Sequence, residues 1–286
     1  MTEHVFVLGA GRAGLGLARA LRASGVDVIG VHGRRSEGGP EAVSAGRLPD
    51  RVGEATVVIV AVRDAQIDDA LRELLRAPLA PGAVILHASG SAEPTELASV
   101  RAAGHPAGTF HPLVPLADPS RAPELLRGAW IGIDGDARAR SCARSLAAAL
   151  GAHTLEIPAG QKGPYHAAAV LASNFPAVLL ALGEQLLMGA GLDRETARRA
   201  LYSLFRSAAD NLRAGNGARV LTGPIVRGDV DTVRVHLDAL SSEPDVLEVY
   251  RALSRAAIDL ARQGGTDEAR LSEIERVLSD ARGPTT

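Results

Sequence analysis

The most informative residues of this chain are three glycines with the spacing G-x-G-x-x-G, a pattern typical of a backbone loop that binds phosphate. They follow an apolar run at residues 5–8 and precede a helical pattern at residues 15–24. The first glycine allows a tight turn, the second lets the backbone approach a pyrophosphate, and the third lets helix and strand pack closely. Free N–H groups at the start of the helix favour phosphate. We therefore expect a dinucleotide-binding loop formed by Gly9, Ala10, Gly11, Arg12, Ala13 and Gly14.

The end of the second predicted strand, residues 27–32, indicates which dinucleotide is preferred. NAD sites usually carry an acidic residue about 20 residues beyond the glycines, where it binds the ribose 2′-OH. This chain instead has Arg34, Arg35 and Ser36. Because the planar guanidinium matches phosphate oxygens, these residues favour NADP(H) over NAD(H). The alternative is a solvated arginine pair in a surface loop.

Composition limits the class of protein. The chain has 286 residues, is 46% hydrophobic and 22% charged, and carries a net charge of −2. This balance is typical of a globular protein with two domains and gives no basic surface for nucleic acid. Cys142 is the single cysteine, so we expect no intrachain disulfide, a small core residue at that position and a reducing, cytoplasmic location. No signal segment or uninterrupted apolar run of about 20 residues is visible, so neither export nor a membrane span is expected.

The order of predicted elements divides the chain into residues 1–158 and residues 159–286. In the first part strands alternate with helices, which predicts a Rossmann-type parallel sheet in an α/β domain. Its further strands are expected at residues 56–62, 83–87, 107–110, 130–133 and 154–157, and helices at 41–46, 65–77, 94–103 and 137–150. The second part is predicted to be an all-helical substrate and dimerisation domain. Its helices are expected at residues 162–188, 194–214, 230–239, 245–263 and 268–281.

Polar residues follow three of the apolar strands. In an open parallel sheet ligands bind beyond the carboxyl ends of the strands. Val62 and Arg63 are expected to lie along the cofactor, Ser89 to contact cofactor or substrate, and His87 and His111 to contact substrate. A hydrogen-bonded structural role is the alternative for each histidine. No metal site is predicted.

The first long helix of the second part carries the most reactive side chains. At about 100° per residue, Lys162, His166 and Ser173 fall on one stripe, with Asn174 to the side. Lys162 and His166 are candidate catalytic residues because both can donate a proton to the oxygen formed by hydride transfer. Ser173 and Asn174 are candidate substrate-binding residues. A surface lysine and a histidine at the edge of the core are the alternative.

The loop at residues 221–229 combines two glycines and a proline with polar side chains. Such a loop is suited to placing groups at a site. Thr222 and Arg227 are candidate substrate-binding residues, the arginine for the carboxylate of a small acid. Asp229 is expected either to orient Arg227 or to cap the following helix.

Five motifs together resemble a known family. They lie at residues 9–14, 87–90, 110–113, 165–174 and 222–229. The chain resembles Rossmann-like candidate oxidoreductases with a second domain of unknown function. That second domain is similar to the helical domains of 6-phosphogluconate dehydrogenase, pyrroline-5-carboxylate reductase and ketopantoate reductase. The resemblance implies NADP-dependent reduction of a small molecule and is the ground for expecting a homodimer.

One position departs from these relatives. In β-hydroxyacid dehydrogenases and ketopantoate reductases the catalytic lysine is followed four residues later by asparagine, whereas Lys162 is followed at that spacing by His166. The favoured hypothesis is an NADPH-dependent reductase of a small carbonyl acid, such as a ketopantoate-like 2-oxo acid. An imine reductase of the pyrroline-5-carboxylate type, which requires less from a lysine directed at oxygen, is the alternative enzyme. A noncatalytic NADP-binding sensor is the alternative outside enzymes.

Overall fold

A computed structural model describes residues 3–36, 43–215 and 221–280. The chain forms two compact units, residues 1–176 and residues 177–286. The sheet ends close to the predicted boundary at residue 158, but the long helix that follows it contributes its first half to the first unit. The division at Pro176 therefore falls inside a helix and not in the loop that the sequence suggested.

The first unit is built on one eight-stranded sheet with the order β3-β2-β1-β4-β5-β6-β7-β8. Neighbouring strands are parallel except β6 and β7, which pair antiparallel. β4 and β5 are buried along their whole length, as expected for strands covered on both faces. The strands are β1 His4–Leu8, β2 Asp27–Gly33, β3 Val43–Ala45, β4 Val57–Val60, β5 Val84–His87, β6 Ala107–Pro112, β7 Trp130–Gly135 and β8 His153–Glu156.

Side-chain alternation along the strands creates a core on each face of the sheet. Val5 and Val7 belong to one apolar cluster, whereas Phe6 and Leu8 belong to the other. The first cluster packs on α1 (Arg12–Ala23), α4 (Ala122–Leu126) and α5 (Ala137–Ala149), and the second on α2 (Ile67–Leu74) and α3 (Ala98–Ala102). Cys142 on α5 is buried in the first cluster, and burial raises the pKa of its thiol to about 12.

The predicted helix at residues 41–46 is wrong where the structure describes it. Residues 43–45 form the edge strand β3, which pairs with β2 through Val31 and Val43, while residues 41 and 42 lie outside the described part. Val43 is buried against the sheet, and the hydroxyl of Ser44 hydrogen-bonds His32 at 2.9 Å. Tertiary pairing of a β-branched residue therefore overrides the weak local helical preference of this segment.

Helices make up the described part of the second unit. α6 (Lys162–Gly189) starts in the first unit and ends in the second, followed by α7 (Arg194–Ala214), α8 (Val230–Ala239), α9 (Pro244–Gln263) and α10 (Glu268–Ser279). Val233, Ile258 and Ile274 are buried in the apolar core that joins α8, α9 and α10. By length and composition α6 is able to cross a membrane, and none of its apolar window is buried among the described residues; a single helix of this kind is weak evidence for a span.

Candidate functional site

The glycine loop has the close packing that its spacing predicts. Gly9 adopts φ +120°, and a Cβ there would lie 2.3 Å from the carbonyl oxygen of Ala61. A Cβ on Gly14 would lie 1.8 Å from the carbonyl oxygen of Gly9. Space around the Cα of Gly11 is open, with no heavy atom within 4 Å of a Cβ built there. The first and third glycines thus serve packing, and the second leaves room for a ligand.

The start of α1 is free to bind an anion. Its N-cap is Gly11, and no side chain caps it and no acidic residue stands in its first turn. Asp193, Asp229 and Asp267 cap α7, α8 and α10, whereas α5 lacks a side-chain cap as α1 does, so the glycine loop before it is what distinguishes the start of α1. Uncapped N–H groups with the positive end of the helix dipole suit a pyrophosphate. The exposed Arg12 and Ala13 occupy this first turn.

A groove of about 900 Å³ runs along the glycine loop and the ends of β1, β2 and β4. Arg34 and Arg35 line it and are both exposed, whereas the exposed Ser36 is not part of the lining. Two acidic residues of α2, Asp69 and Glu73, also border the groove. The predicted cofactor residues in the lining are Gly9, Ala10, Gly11, Arg34, Arg35, Val62 and Arg63.

Lys162, at the start of α6, is enclosed. Its side chain is 1% exposed, and its ammonium lies 3.2 Å from a carboxylate oxygen of Asp134 on β7 and donates to the hydroxyl of Thr109 on β6. Burial lowers the pKa of this ammonium and the Asp134 charge opposes that change. Glu93 accepts the backbone N–H of Lys162 at 3.3 Å. These contacts tie the first turn of α6 to the sheet.

His87, at the end of β5, belongs to the same buried network. Its Nδ1 accepts the backbone N–H of Ser89 at 3.2 Å, and its Nε2 lies 3.1 Å from the Thr109 hydroxyl. Burial, assisted by the nearby charge of Lys162, lowers the pKa of His87 to about 3. A neutral imidazole that accepts at Nδ1 carries its proton on Nε2, so His87 donates to Thr109, and the Lys162 ammonium, 3.4 Å from the same Nε2, is a neighbouring donor and not a hydrogen-bond partner. The geometry corresponds to the structural alternative for this histidine.

His111, at the end of β6, lies in a second, partly open cluster. Its Nδ1 is 2.7 Å from the hydroxyl oxygen of Tyr165, and its ring centroid is 5.8 Å from that of His166. Burial lowers the pKa of His111 to about 4, with His166 and Lys162 adding to the effect. Burial also raises the pKa of Tyr165. At neutral pH His111 and Tyr165 are therefore both neutral hydrogen-bonding groups.

The remaining candidates of the first unit differ in exposure. Ser89 is buried, and its hydroxyl accepts the backbone N–H groups of Ser91 and Ala92. Ser173 is exposed, and its one hydroxyl proton has two acceptors within 2.9 Å, the backbone carbonyl of Ala169 and the side-chain oxygen of Asn174. The helical stripe predicted from Lys162 to Ser173 thus runs from an enclosed end to an exposed one, and its members do not share one environment.

The loop candidates belong to the second unit. Thr222 and Arg227 are exposed, and the guanidinium of Arg227 lies 3.8 Å from Asp229. Asp229 also caps α8 by accepting the backbone N–H of Thr232 at 3.1 Å. It therefore both lies beside Arg227 and caps the helix, the two roles that the sequence predicted as alternatives. Their substrate-binding roles stay predictions. Among the residues described, no group of three or more His, Cys, Asp or Glu side chains is placed to hold a metal ion.

The sequence reasoning found Lys162 but missed its partners Thr109 and Asp134 and the neighbouring Tyr165, although signals for some of them exist. Lys162 is the only lysine in the chain beside 30 arginines, which marks a position where a compact ammonium is needed. Asp134 stands in an apolar strand, where a buried carboxylate requires a cation. Gly132 in the same strand indicates a close approach, which is that of Tyr165.

The sheet order, the glycine loop and the uncapped helix define the first unit as a Rossmann-type dinucleotide-binding fold, followed by helices. Residues 129–257 match the model of a family described as Domain of unknown function (DUF2520). A comparison with curated proteins found no match.

Solved structures with the same fold cover nearly the whole chain. A Bacteroides fragilis protein described as a candidate NADP oxidoreductase has 21% identity and a TM-score of 0.73, over 90% of this chain and 98% of that one. Pyrroline carboxylate reductase of Plasmodium falciparum, solved with NADP bound, has 11% identity and a TM-score of 0.62, over 97% and 98%.

A third structure is the reductive aminase of Aspergillus terreus in complex with NADPH and ethyl levulinate. It has 16% identity and a TM-score of 0.57, over 99% of this chain and 96% of that one. At these identities the likeness establishes the fold, and it confirms the resemblance drawn from the motifs, including the domain of unknown function.

Proposed function

We propose that this protein is an NADP(H)-dependent reductase of a small molecule. The observation that carries the proposal is the groove in which the open Gly11 loop and the Arg34–Arg35 pair occur together. NADP or NADPH is bound in two of the similar structures. The groove would hold the pyrophosphate at the start of α1 and the 2′-phosphate at the two arginines. When bound, the nicotinamide supplies a hydride.

The strand order supports a proposed position for the nicotinamide. In a doubly wound sheet the adenine half of the cofactor lies over β1 and β2, and the nicotinamide half lies on the other side, over β4 and its neighbours. β5 and β6 come next in the sheet, so the end of β6 lies about 10 Å from the end of β4 at the usual strand spacing. His111 therefore stands on the nicotinamide side.

We propose a C=N bond as the reducible group, in preference to the carbonyl of a 2-oxo acid. A carbonyl builds negative charge on oxygen during hydride transfer and gains from an accessible cation. Lys162, the best candidate for that cation, is enclosed and held by Asp134 and Thr109. Two of the similar proteins, a pyrroline carboxylate reductase and a reductive aminase, have names that refer to imine chemistry. The ketopantoate-like carbonyl acid is the second candidate, because Lys162 lies next to residues of the open cluster.

The proposal also assigns residues. His111 contacts the substrate, and His166 lies next to the substrate position. Lys162 does not contact the substrate but neutralises the buried Asp134. If the carbonyl acid is the substrate, Lys162 and His166 are the proton donors and Arg227 with Thr222 binds the carboxylate. Ser89, Ser173 and Asn174 are proposed substrate contacts.

We further propose a homodimer in the cytoplasm. α6 and α7 expose several large apolar side chains in the second unit, which monomeric proteins seldom leave uncovered. They are Val178, Leu179, Met188, Tyr202, Leu204, Phe205 and Leu212. A second copy of the chain is the proposed occupant of this surface, called below the α6–α7 surface.

The experiment that tests the function is NADPH oxidation with a panel of cyclic imines, amine and ketone pairs, semialdehydes and 2-oxo acids. Oxidation with imines and not with 2-oxo acids supports the first proposal, and the reverse supports the second. Tight NADPH binding without oxidation against any compound would identify a noncatalytic NADP-binding protein. Absence of NADPH binding would refute all three.

A further inference from the structure

The His111–Tyr165 pair fills space that two glycines keep open. A Cβ on Gly132 would lie 2.1 Å from the Tyr165 hydroxyl oxygen. A Cβ on Gly90 would lie 2.5 Å from Nδ1 of His166 and 2.7 Å from Cε1 of His111. Neither glycine has a positive φ, so backbone conformation does not require glycine at either position. Glycine is required at both positions because the side chains of the cluster occupy the space that a Cβ would take.

The hydrogen bond between Tyr165 and His111 has one arrangement that satisfies more groups than the other. If the phenol donates to Nδ1, the phenol proton and the Nδ1 lone pair are both used, and the imidazole proton stands on Nε2. If Nδ1 donates instead, the phenol proton is left without an acceptor, because Tyr165 makes no other hydrogen bond among the described residues. Buried polar groups are seldom left unpaired, so the first arrangement is favoured.

The state of charge supports the same arrangement. His111 is neutral at neutral pH because burial and its neighbours lower its pKa to about 4, and Tyr165 keeps its proton because burial raises its pKa. A neutral imidazole has one N–H and one lone pair. With Nδ1 accepting, Nε2–H is the donor, and within the described chain no residue accepts it.

We propose that Tyr165 is a positioning residue that holds His111 as the Nε2–H tautomer. This N–H, beside Gly90, then donates a hydrogen bond to the heteroatom of the reducible double bond, the nitrogen of C=N or the oxygen of C=O. The inference rests on the proposed function for the identity of the acceptor. The tautomer itself depends on the contacts within the first unit.

The test uses the full chain labelled with ¹⁵N, with long-range ¹H–¹⁵N NMR spectra of the imidazoles at neutral pH and His111→Gln to assign the signal. We expect the Nε2–H pattern for His111 in the wild type. Tyr165→Phe removes the phenol donor and should give a mixture of both tautomers. Gly132→Ala pushes the hydroxyl away while keeping it, and should have the same effect if Tyr165→Phe does not fold.

The chain contains a matched control in the second unit. Tyr250 approaches Nδ1 of His236 at 2.9 Å with ring centroids 5.7 Å apart, against 2.7 Å and 5.6 Å for Tyr165 and His111. Tyr250→Phe should change the NMR signals of His236. The signals of His111 and the turnover number should stay as in the wild type. With an identified substrate, Tyr165→Phe should lower kcat about three- to tenfold, as expected for one lost hydrogen bond, with NADPH affinity unchanged.

An Nδ1–H tautomer of His111 in the wild type would overturn the inference, and so would a tautomer that is unchanged in both Tyr165→Phe and Gly132→Ala. The NMR result needs neither cofactor nor substrate. If the tautomer is found as expected and no compound is reduced, the proposed function fails and the positioning of His111 by Tyr165 stands.

Discussion

At the scale of single residues, Lys162 and Asp134 act as one unit. Removing one partner of a buried ion pair leaves the other charge without compensation, which costs about 3–5 kcal/mol. Lys162→Met should therefore lower the free energy of unfolding by about that amount, measured by urea unfolding. The double variant Lys162→Met, Asp134→Asn should recover part of the loss. An unchanged stability in the single variant would show that Lys162 does not pair with Asp134 in solution.

Because Lys162 is the only lysine, its accessibility can be measured directly. An amine-specific acylating reagent should modify the terminal amine of the folded protein and leave Lys162 unmodified until the chain is unfolded in urea, as read by mass spectrometry of peptides. Rapid modification of Lys162 in the folded protein would show that the ammonium reaches solvent. That result would restore the lysine as a candidate donor to a carbonyl substrate.

The buried histidines predict how stability depends on pH. The pKa values of His87 and His111 are lowered from 6.5 to about 3 and about 4, so below pH 6.5 the unfolded chain binds protons that the folded chain does not. Stability should therefore fall as the pH is lowered from 6.5 toward 4, by about 1.4 kcal/mol per pH unit for each histidine. Urea unfolding at pH 7 and pH 5 measures this change.

The matched variants for that experiment are His111→Gln and His153→Gln. The first removes one of the two buried groups and should reduce the difference in stability between pH 7 and pH 5. The second replaces an exposed histidine that packs on Trp130 and should leave the difference unchanged. An equal difference in all three proteins would mean that His111 does not resist protonation in the fold.

At the scale of elements, the loop after β2 is expected to select the cofactor. Arg34→Glu and Arg35→Glu each set a carboxylate against the 2′-phosphate and remove a charge-assisted contact. NADPH affinity should fall about tenfold or more for at least one of them. Isothermal titration with NADPH and NADH measures the change, and Arg47→Glu, on an exposed arginine outside the groove lining, is the control. Unchanged NADPH binding in both variants would reject the assignment.

The elements also show how far sequence reasoning reaches. The glycine loop and the strands β1, β4 and β5 were predictable because their signals are local: fixed spacing and continuous apolar runs. The strand β3 was not, because its three residues become a strand only by pairing with β2. The antiparallel pairing of β6 with β7 has no local signal in the sequence either.

The candidate site divides in the same way. Histidines at strand ends were found from the pattern of strands. The partners of these histidines, Thr109 and Tyr165, and the Asp134 partner of Lys162 were not found. Each comes from a different element, and the contacts arise only when β6, β7 and α6 are packed. Sequence spacing places Lys162 and His166 on one face of a helix but does not tell which of them the sheet encloses.

At the scale of the whole molecule, the α6–α7 surface predicts self-association. Light scattering should give the mass of a dimer, twice the 29.6 kDa of the chain. Val178→Glu with Leu204→Glu should produce a monomer because both side chains are exposed and apolar. Val235→Glu, at an equally exposed position on α8, should leave the dimer intact. A monomeric wild type would contradict the proposed dimer.

The central claim, that this chain transfers hydride from NADPH to a C=N bond, is tested most directly by following the hydride. NADPH carrying two deuterium atoms at C4, so that either face delivers label, is supplied with cyclic imines and, separately, with 2-oxo acids, and the products are analysed by mass spectrometry. Deuterium should appear at the former imine carbon of the amine product and not in a hydroxy acid. Deuterium in the hydroxy acid alone, or in neither product while NADPH is tightly bound, would contradict the account.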